Sequence, residues 1–319
     1  MRRGVLAALA ILFGTLSASA QDWPTKSVRI IVPFAAGATP DLVARLIADY
    51  LHDKLGQAFI VENKPGASGN TGTDAVAKAD PDGSTIGVSI GGPLAINTLL
   101  FSSLPYDPKK DLALITMLVA QPSALAVNAS LGVKNTAELI DLIKRNPGKY
   151  TYGSIGTGSL SQLAMEAIAL KAGTKLVHVP YPSSPQAIQA LMRNDVQMVC
   201  LPAISITPQL TGGAIKMLAV STAGRSALLP DIPTLKEAGI DVEADAWSGL
   251  VAPAGVPEAI IERINREVAE AITSRAIREK LSTQLMEPIP DTPAQFRAHI
   301  DADLARWAPV IETANIKIN

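Results

Sequence analysis

Val28-Arg29-Ile30-Ile31-Val32-Pro33 runs into Phe34-Ala35-Ala36-Gly37-Ala38-Thr39-Pro40-Asp41, and then Leu42, Val43, Leu46, Ile47 and Leu51 recur as far as Gly56. The first five residues are β-branched around one arginine, the composition of a buried strand. Pro33 ends it, because proline has no N–H to give to a ladder. The apolar residues beyond Asp41 return at steps of three and four, the period of a helix with one buried face. Gly56 supplies its stop. Phe59-Ile60-Val61 reads as a second strand, Gly72 to Ala79 as a second helix, and Thr85-Ile86-Gly87-Val88-Ser89 as a third strand. This β-α-β-α-β succession predicts a parallel sheet covered by helices, since parallel neighbours need a crossover.

The rhythm restarts after Pro105-Tyr106-Asp107-Pro108. Strands are expected at 124–127, 150–153, 177–180, 196–201 and 216–221, with helices at 136–145, 160–172 and 185–192 between them. Asn135 or Thr136 caps the first of these helices. Pro257 to Ala271 carries Ile260, Ile261, Ile264, Val268 and Ile272 on one face, and helices at 276–285 and 293–314 follow. A chain of 319 residues exceeds one typical domain. The expected organisation is therefore α/β with two lobes, each a mostly parallel sheet flanked by helices. Residues 21–122 and 225–319 form the first lobe and 123–224 the second. Two crossings between lobes make a hinge, and ligand sites favour such a cleft.

Residues 1–20 read as an export signal. Arg2 and Arg3 precede the apolar run Val5 to Leu16, and Ala18-Ser19-Ala20 offers small residues for cleavage after Ala20. The run is too short to span a bilayer, which takes about 20 apolar residues. A periplasmic location, with no stable membrane insertion after cleavage, is the expectation. Removing Arg2 and Arg3 from 28 basic residues leaves 26 against 29 acidic ones, a net of −3. That balance is no footprint for nucleic acid. The single Cys200 sits in an apolar run and reads as a small buried hydrophobe.

Three segments rich in Gly, Ser and Thr stand where a strand hands over to a helix. They are Phe34 to Asp41, then Ser89-Ile90-Gly91-Gly92-Pro93, then Ser154-Ile155-Gly156-Thr157-Gly158-Ser159. The carboxyl ends of strands in open α/β sheets are where ligands bind. A helix start there offers unpaired N–H groups and a positive dipole end, both suited to an anion. Glycine lets the backbone approach closely, and Ser or Thr adds hydroxyls. Gly156-Thr157-Gly158 does not complete a dinucleotide fingerprint, because Ser161 stands at its third position and no acid ends the next strand. No cofactor is expected. His52, His178 and His299 share no metal-ligand spacing, and Gly-x-Ser-x-Gly is absent, so neither a metal nor a serine hydrolase is expected. His178 reads as a satisfied structural histidine. Trp247 reads as a core residue that also suits a pocket wall.

Further along, Val61-Glu62-Asn63-Lys64-Pro65-Gly66-Ala67-Ser68-Gly69-Asn70, Ala79-Asp80-Pro81-Asp82-Gly83-Ser84-Thr85, Leu229-Pro230-Asp231-Ile232-Pro233-Thr234 and Trp247-Ser248-Gly249-Leu250-Val251-Ala252-Pro253 stand in order. With Val32-Pro33-Phe34, Gly37 and Asp41, these make the chain resemble the Bug family. Those are the TctC-like substrate-binding proteins of tripartite tricarboxylate transporters, and the resemblance runs over essentially the whole chain beyond Trp23. It implies a two-lobed periplasmic-binding-protein, or Venus-flytrap, fold that captures a small organic carboxylate for separate membrane transporter subunits. It places the ligand on the loop Phe34 to Asp41 and on Ser154 to Ser159. Ser89, Gly91, Gly92, Tyr181, Ser183, Ser184, Pro202 and Ala203 complete the candidate set.

The chain departs from the family pattern at Ala38 and Pro40, at Gln162 where a histidine is frequent, and at Tyr181-Pro182-Ser183 where Tyr-Lys-Gly is usual. The missing lysine points toward a monocarboxylate or an amphiphilic acid, aromatic ones included. A monomeric binding protein without catalytic activity is the expectation. The competing readings are a periplasmic sensing module that docks a receptor and a secreted hydrolase.

Overall fold

The computed structural model describes residues 23–318, so the expected signal and its cleavage point lie outside the described residues. The chain runs β1 (Val28–Val32), α1 (Thr39–Leu55), β2 (Phe59–Asn63), α2 (Asn70–Ala77) and β3 (Thr85–Ile90). A wide π turn at Gly92–Ile96 then leads into α3 (Asn97–Leu100). β4 (Leu112–Gln121) passes through Pro122 into β5 (Ser123–Asn128). Next come α4 (Thr136–Lys144), β6 (Thr151–Ser154), α5 (Leu160–Lys171), β7 (Val177–Pro180), α6 (Ser184–Arg193), β8 (Met198–Pro202), α7 (Ala203–Ile206) and β9 (Ile215–Val220). The chain ends in β10 (Ala246–Pro253), α8 (Glu258–Thr273), α9 (Arg275–Ser282), β11 (Glu287–Pro288) and α10 (Pro293–Thr313).

Two sheets result, in the orders β11-β4-β10-β3-β1-β2 and β7-β6-β8-β5-β9. The two-lobed α/β expectation holds, but the sheets are mixed rather than mostly parallel. β1 lies parallel to β2 and β3, while β10 is antiparallel to both β3 and β4. In the second sheet β6 is parallel to β7 and β8, while β5 is antiparallel to β8 and β9. In the first sheet the reason is β4 and β10, which the periodicity of the sequence does not announce. Both are apolar and buried along nearly their whole length, so they lack the alternation that marks a strand.

The helices follow the sequence signals closely. α1 buries Val43, Ala44, Ile47 and Leu51 against the first sheet and stops at Gly56, whose φ of 70° is left-handed. Each fully buried aliphatic side chain contributes about 1.5–3 kcal/mol, ample to hold the helix. Asn135 caps α4 by accepting from the Glu138 N–H at 2.9 Å.

The sequence reading places residues 225–245 in the first lobe, yet Leu235, Ile240, Val242 and Ala244 lie in the core of the second. Thr234 also bridges Val220 at the edge of β9. α10 straps the lobes together. Its Phe296 and Ile300 pack under the first sheet, while Trp307, Val310 and Ile311 join the core that holds Tyr152, Leu163 and Ile168.

Candidate functional site

Between the lobes lies a cleft of about 480 Å³. The loop before α1, the turn after β3 and the loop before α5 all open onto it, as do the two crossings at 121–123 and 245–248.

The first loop is built around Asp41. This carboxylate is buried, and its Oδ2 accepts from the Gly37 N–H at 2.9 Å and from Arg45 Nε at 3.0 Å. Its Oδ1 accepts from Asn63 Nδ2 at 2.9 Å and pairs with the Arg45 guanidinium at 2.9 Å. Asn63 Nδ2 also reaches the Phe34 carbonyl at 3.0 Å, tying the loop to β2. Burial pushes the Asp41 carboxyl upward, but the bonds from Arg45, Gly37 and Asn63 outweigh it and leave the pKa below its ordinary value. Asp41 does not occupy the N-cap of α1. Instead Ala38 holds that position, and Asp41 fastens the loop from inside the first turn.

The second loop is held by neutral groups. Ser159 caps α5, its Oγ accepting from the Gln162 N–H at 3.4 Å and donating to the Gly156 carbonyl at 2.6 Å. The Ile155 N–H donates to Ser161 Oγ at 3.0 Å, and the Gly158 N–H donates to Gln162 Oε1 at 2.7 Å. That last bond fixes a tautomer. Since the Gly158 amide can only donate, Gln162 must turn its NH₂ toward His178 Nδ1, 3.2 Å away. His178 Nδ1 therefore accepts, and its proton sits on Nε2, 2.6 Å from Ser154 Oγ. Burial holds the His178 pKa below its ordinary value, which suits the neutral ring. Tyr152 stacks on the imidazole at 5.1 Å and donates to Glu166 Oε1 at 2.5 Å. His178 is thus a satisfied structural histidine, as the sequence suggests.

These anchors leave other amides unspent. Among the described residues, the N–H groups of Thr39 at the start of α1, and of Thr157, Leu160 and Ser161 at the start of α5, find no acceptor. All four residues line the cleft. Two helix N-termini therefore offer donors and positive dipole ends to the same space.

Of the candidate residues, Phe34, Ala38, Thr39, Gly91, Gly92, Thr157, Gly158, Ser159 and Pro202 line the cleft. Ala35 and Gly37 are exposed beside it. Ser89 and Ser154 are buried behind it, because successive strand residues face opposite ways. Ser89 lies 3.2 Å from Thr73 Oγ1, while its neighbour Ile90 faces the cleft. Tyr181, Ser183 and Ser184 are not in the wall. They follow β7, which is the outer strand of its sheet, so they emerge at the sheet edge instead. Ala203 is buried in α7, directly behind Pro202.

The sequence reading misses the wall built by the two crossings: Gln121, Ser123, Asp245 and Ser248. Its only signal is polar residues interrupting apolar runs. Trp247 fills both roles expected of it. It lines the cleft while its ring is buried edge-on against Phe296 and His299. A side chain at Gly91 would come within 3.2 Å of that indole, so glycine there lets the turn lie on the ring.

The lining contains no lysine, arginine or histidine, and its charged groups are Asp245 and Asp303. Asp303 accepts from Trp247 Nε1 at 2.8 Å and from Arg306 at 2.7 Å. Burial, with Glu243 second, lifts the Asp245 carboxyl to about 7. Cys200 also lines the cleft, and burial with the Asp245 charge pushes its thiol up to about 12, far from a reactive thiolate. No group of three or more His, Cys, Asp or Glu able to hold a metal occurs among the described residues, and none of the described helices is long and apolar enough to cross a membrane.

Residues 43–316 match the family model for the tripartite tricarboxylate transporter family receptor, TctC. Protein BugT of Bordetella pertussis is 32% identical over 320 residues, covering 98% of this chain and 98% of that protein. Among solved structures, R. palustris Rpa4515 with adipate aligns with a TM-score of 0.79 at 35% identity, covering 93% of this chain and 99% of that one. MatC from Rhodopseudomonas palustris with bound malate aligns with a TM-score of 0.74 at 29% identity, covering 91% of this chain and 100% of that one. The chain belongs to the TctC family, of which it is a Bug-type member.

Proposed function

We propose that this chain is a periplasmic solute-binding protein that captures a small organic carboxylate and delivers it to a tripartite tricarboxylate-type membrane transporter. The observation that carries this reading is the convergence of unspent amides from the α1 and α5 N-termini on one cleft. A carboxylate placed there would accept from these unpaired amides. Hydrogen bonds to a charged group contribute about 1.5–3 kcal/mol each, so two or three give useful affinity. The adipate with Rpa4515 and the malate bound to MatC, both similar in fold and sequence to this chain, support the same ligand class.

Ligand contact is assigned to Phe34, Ala38, Thr39, Gly91, Gly92, Thr157, Gly158, Ser159 and Pro202, with Asp41 and Ser154 holding the loops from behind. Binding needs no chemistry. The ligand works by favouring one arrangement of the two lobes, which the transporter then reads. Residues 1–20 serve as the cleavable export signal, and the mature protein acts as a monomer.

A thermal-shift screen over small organic acids tests this directly. A ligand at about a hundred times its dissociation constant adds roughly 2.7 kcal/mol of stability, a clear rise in Tm. At least one acid is expected to give that rise, while the matching amide gives none. A rise with neutral analogues and none with acids contradicts the reading. Loss of uptake of the same acid on deleting the gene tests the transport role.

A further inference from the structure

Resting on the reading of the cleft as a carboxylate site, we propose that Asp245 is a second recognition group. It selects acids that carry a hydrogen-bond donor, a hydroxyl or an ammonium, at the end remote from the carboxylate.

The wall made by the two crossings is chemically opposite to the loops. The loops present donors; this wall presents an amide oxygen and a carboxylate short of donors, with one unpartnered hydroxyl between. Gln121 spends its Nε2 on the Gln284 carbonyl at 2.9 Å, which leaves Oε1 with no donor among the described residues. Ser248 is only 2% exposed, and its Oγ has no partner among the described residues. Asp245 receives a single long contact, 3.4 Å from Ser221 Oγ, and that hydroxyl lies closer to the Ser123 and Ala244 carbonyls, 3.1 Å from each. All three line the cleft. Asp303, by contrast, has both oxygens filled by Trp247 and Arg306.

The charges around Asp245 decide which ligand end fits. Glu243 and Glu287 act on it as like charges, and both raise its pKa. Arg306 is the cation that acts on it, and Arg306 is engaged by Asp303 at 2.7 Å and Glu243 at 3.1 Å. Cys200 beside it stays a neutral thiol. A second ligand carboxylate here would face three acids and no unengaged cation. A hydroxyl or ammonium would instead satisfy Asp245 and the acceptors near it. An ammonium also draws the Asp245 proton off, so its binding strengthens as pH rises from about 6 to 8.

The test is calorimetric titration of the mature protein with matched four- and six-carbon acids: unsubstituted, terminal hydroxy, terminal amino, and dicarboxylate. In one set, a hydroxy or amino acid binds about tenfold or more tighter than its unsubstituted parent. Asp245→Ala collapses that ratio to within about threefold, while circular dichroism confirms the fold. Asp245→Asn, which keeps an acceptor but not the charge, removes an amino preference and spares a hydroxy one. Tightest binding by a dicarboxylate, equal binding across a set, or a preference that survives Asp245→Ala overturns the proposal. If none of the acids binds, the carboxylate reading itself fails, and this one with it.

Discussion

In the first lobe the loop before α1 is fastened by charge: buried Asp41, clasped by Arg45, Asn63 and the Gly37 amide. In the second lobe the loop before α5 is fastened by neutral groups, with Ser154, His178, Gln162, Ser159 and Ser161 passing hydrogen bonds along. Both leave amides facing the cleft. One task, freezing a loop so that its N–H groups aim outward, thus has a charged and a neutral solution. The two solutions fail under different conditions.

The most damaging change is expected at Gly158. Its φ of 76° is left-handed, and a side chain there would meet Ile318 Cδ1 at 2.6 Å and Leu100 Cδ1 at 2.8 Å. The space beside this glycine is thus filled by the apolar side chains of Leu100 and Ile318. Gly158→Val should abolish the ligand-induced thermal shift and cost about 1–3 kcal/mol of stability through overpacking. A wild-type shift in that variant would show that the second loop is not a ligand loop.

Next comes the charged anchor. Asp41→Ala frees Gly37, Arg45 and Asn63 together and should cost about 2–3 kcal/mol by denaturant unfolding, with weaker acid binding. The Asp41 pKa lies below 3.8 in the folded chain, so its stabilisation is present above that value and is lost only as pH falls through the folded pKa.

The neutral anchor gives way earlier. The His178 pKa is held below 6.5 in the folded state, so the unfolded chain takes the proton first. Stability contributed by the neutral ring is therefore full above 6.5 and declines as pH falls below it. Protonated His178 would present a donor at Nδ1 to the Gln162 NH₂, and Gln162 could then keep Gly158 or His178 satisfied but not both. Acid affinity and Tm should fall modestly from about pH 7 to pH 5, and His178→Gln should flatten that fall. A pH profile unchanged by His178→Gln would remove the contrast between the two anchors.

The smallest effect is predicted at the sheet edge. Ser183→Ala should leave ligand affinity unaltered and stability within about 0.5 kcal/mol, because Ser183 lies outside the cleft wall.

Much of this molecule is legible in the sequence where a single local signal suffices. The helical spacing after Asp41, the Gly56 stop and the Gly-Ser-Thr loops at strand ends all lead to the structure without outside help. The long apolar run containing Leu112 to Gln121 does not, because a strand buried on both faces shows no alternation and cannot be told from a buried helix by period. Without that strand and β10, the first sheet reads as mostly parallel. The acceptor wall is illegible for another reason. Gln121 and Asp245 are far apart in the chain, and only the double crossing between lobes places them in one cleft. Tyr181, Ser183 and Ser184 show the converse: a suitable motif after a strand counts for little when that strand lies at the sheet edge.

A crystal structure with a bound acid would show whether the two helix starts hold the carboxylate. Carboxylate oxygens are expected within about 3 Å of the Thr39 amide on one side and of the Leu160 or Ser161 amide on the other, with no lysine or arginine in contact. A carboxylate paired to a basic side chain, or bound away from both helix starts, would contradict that expectation.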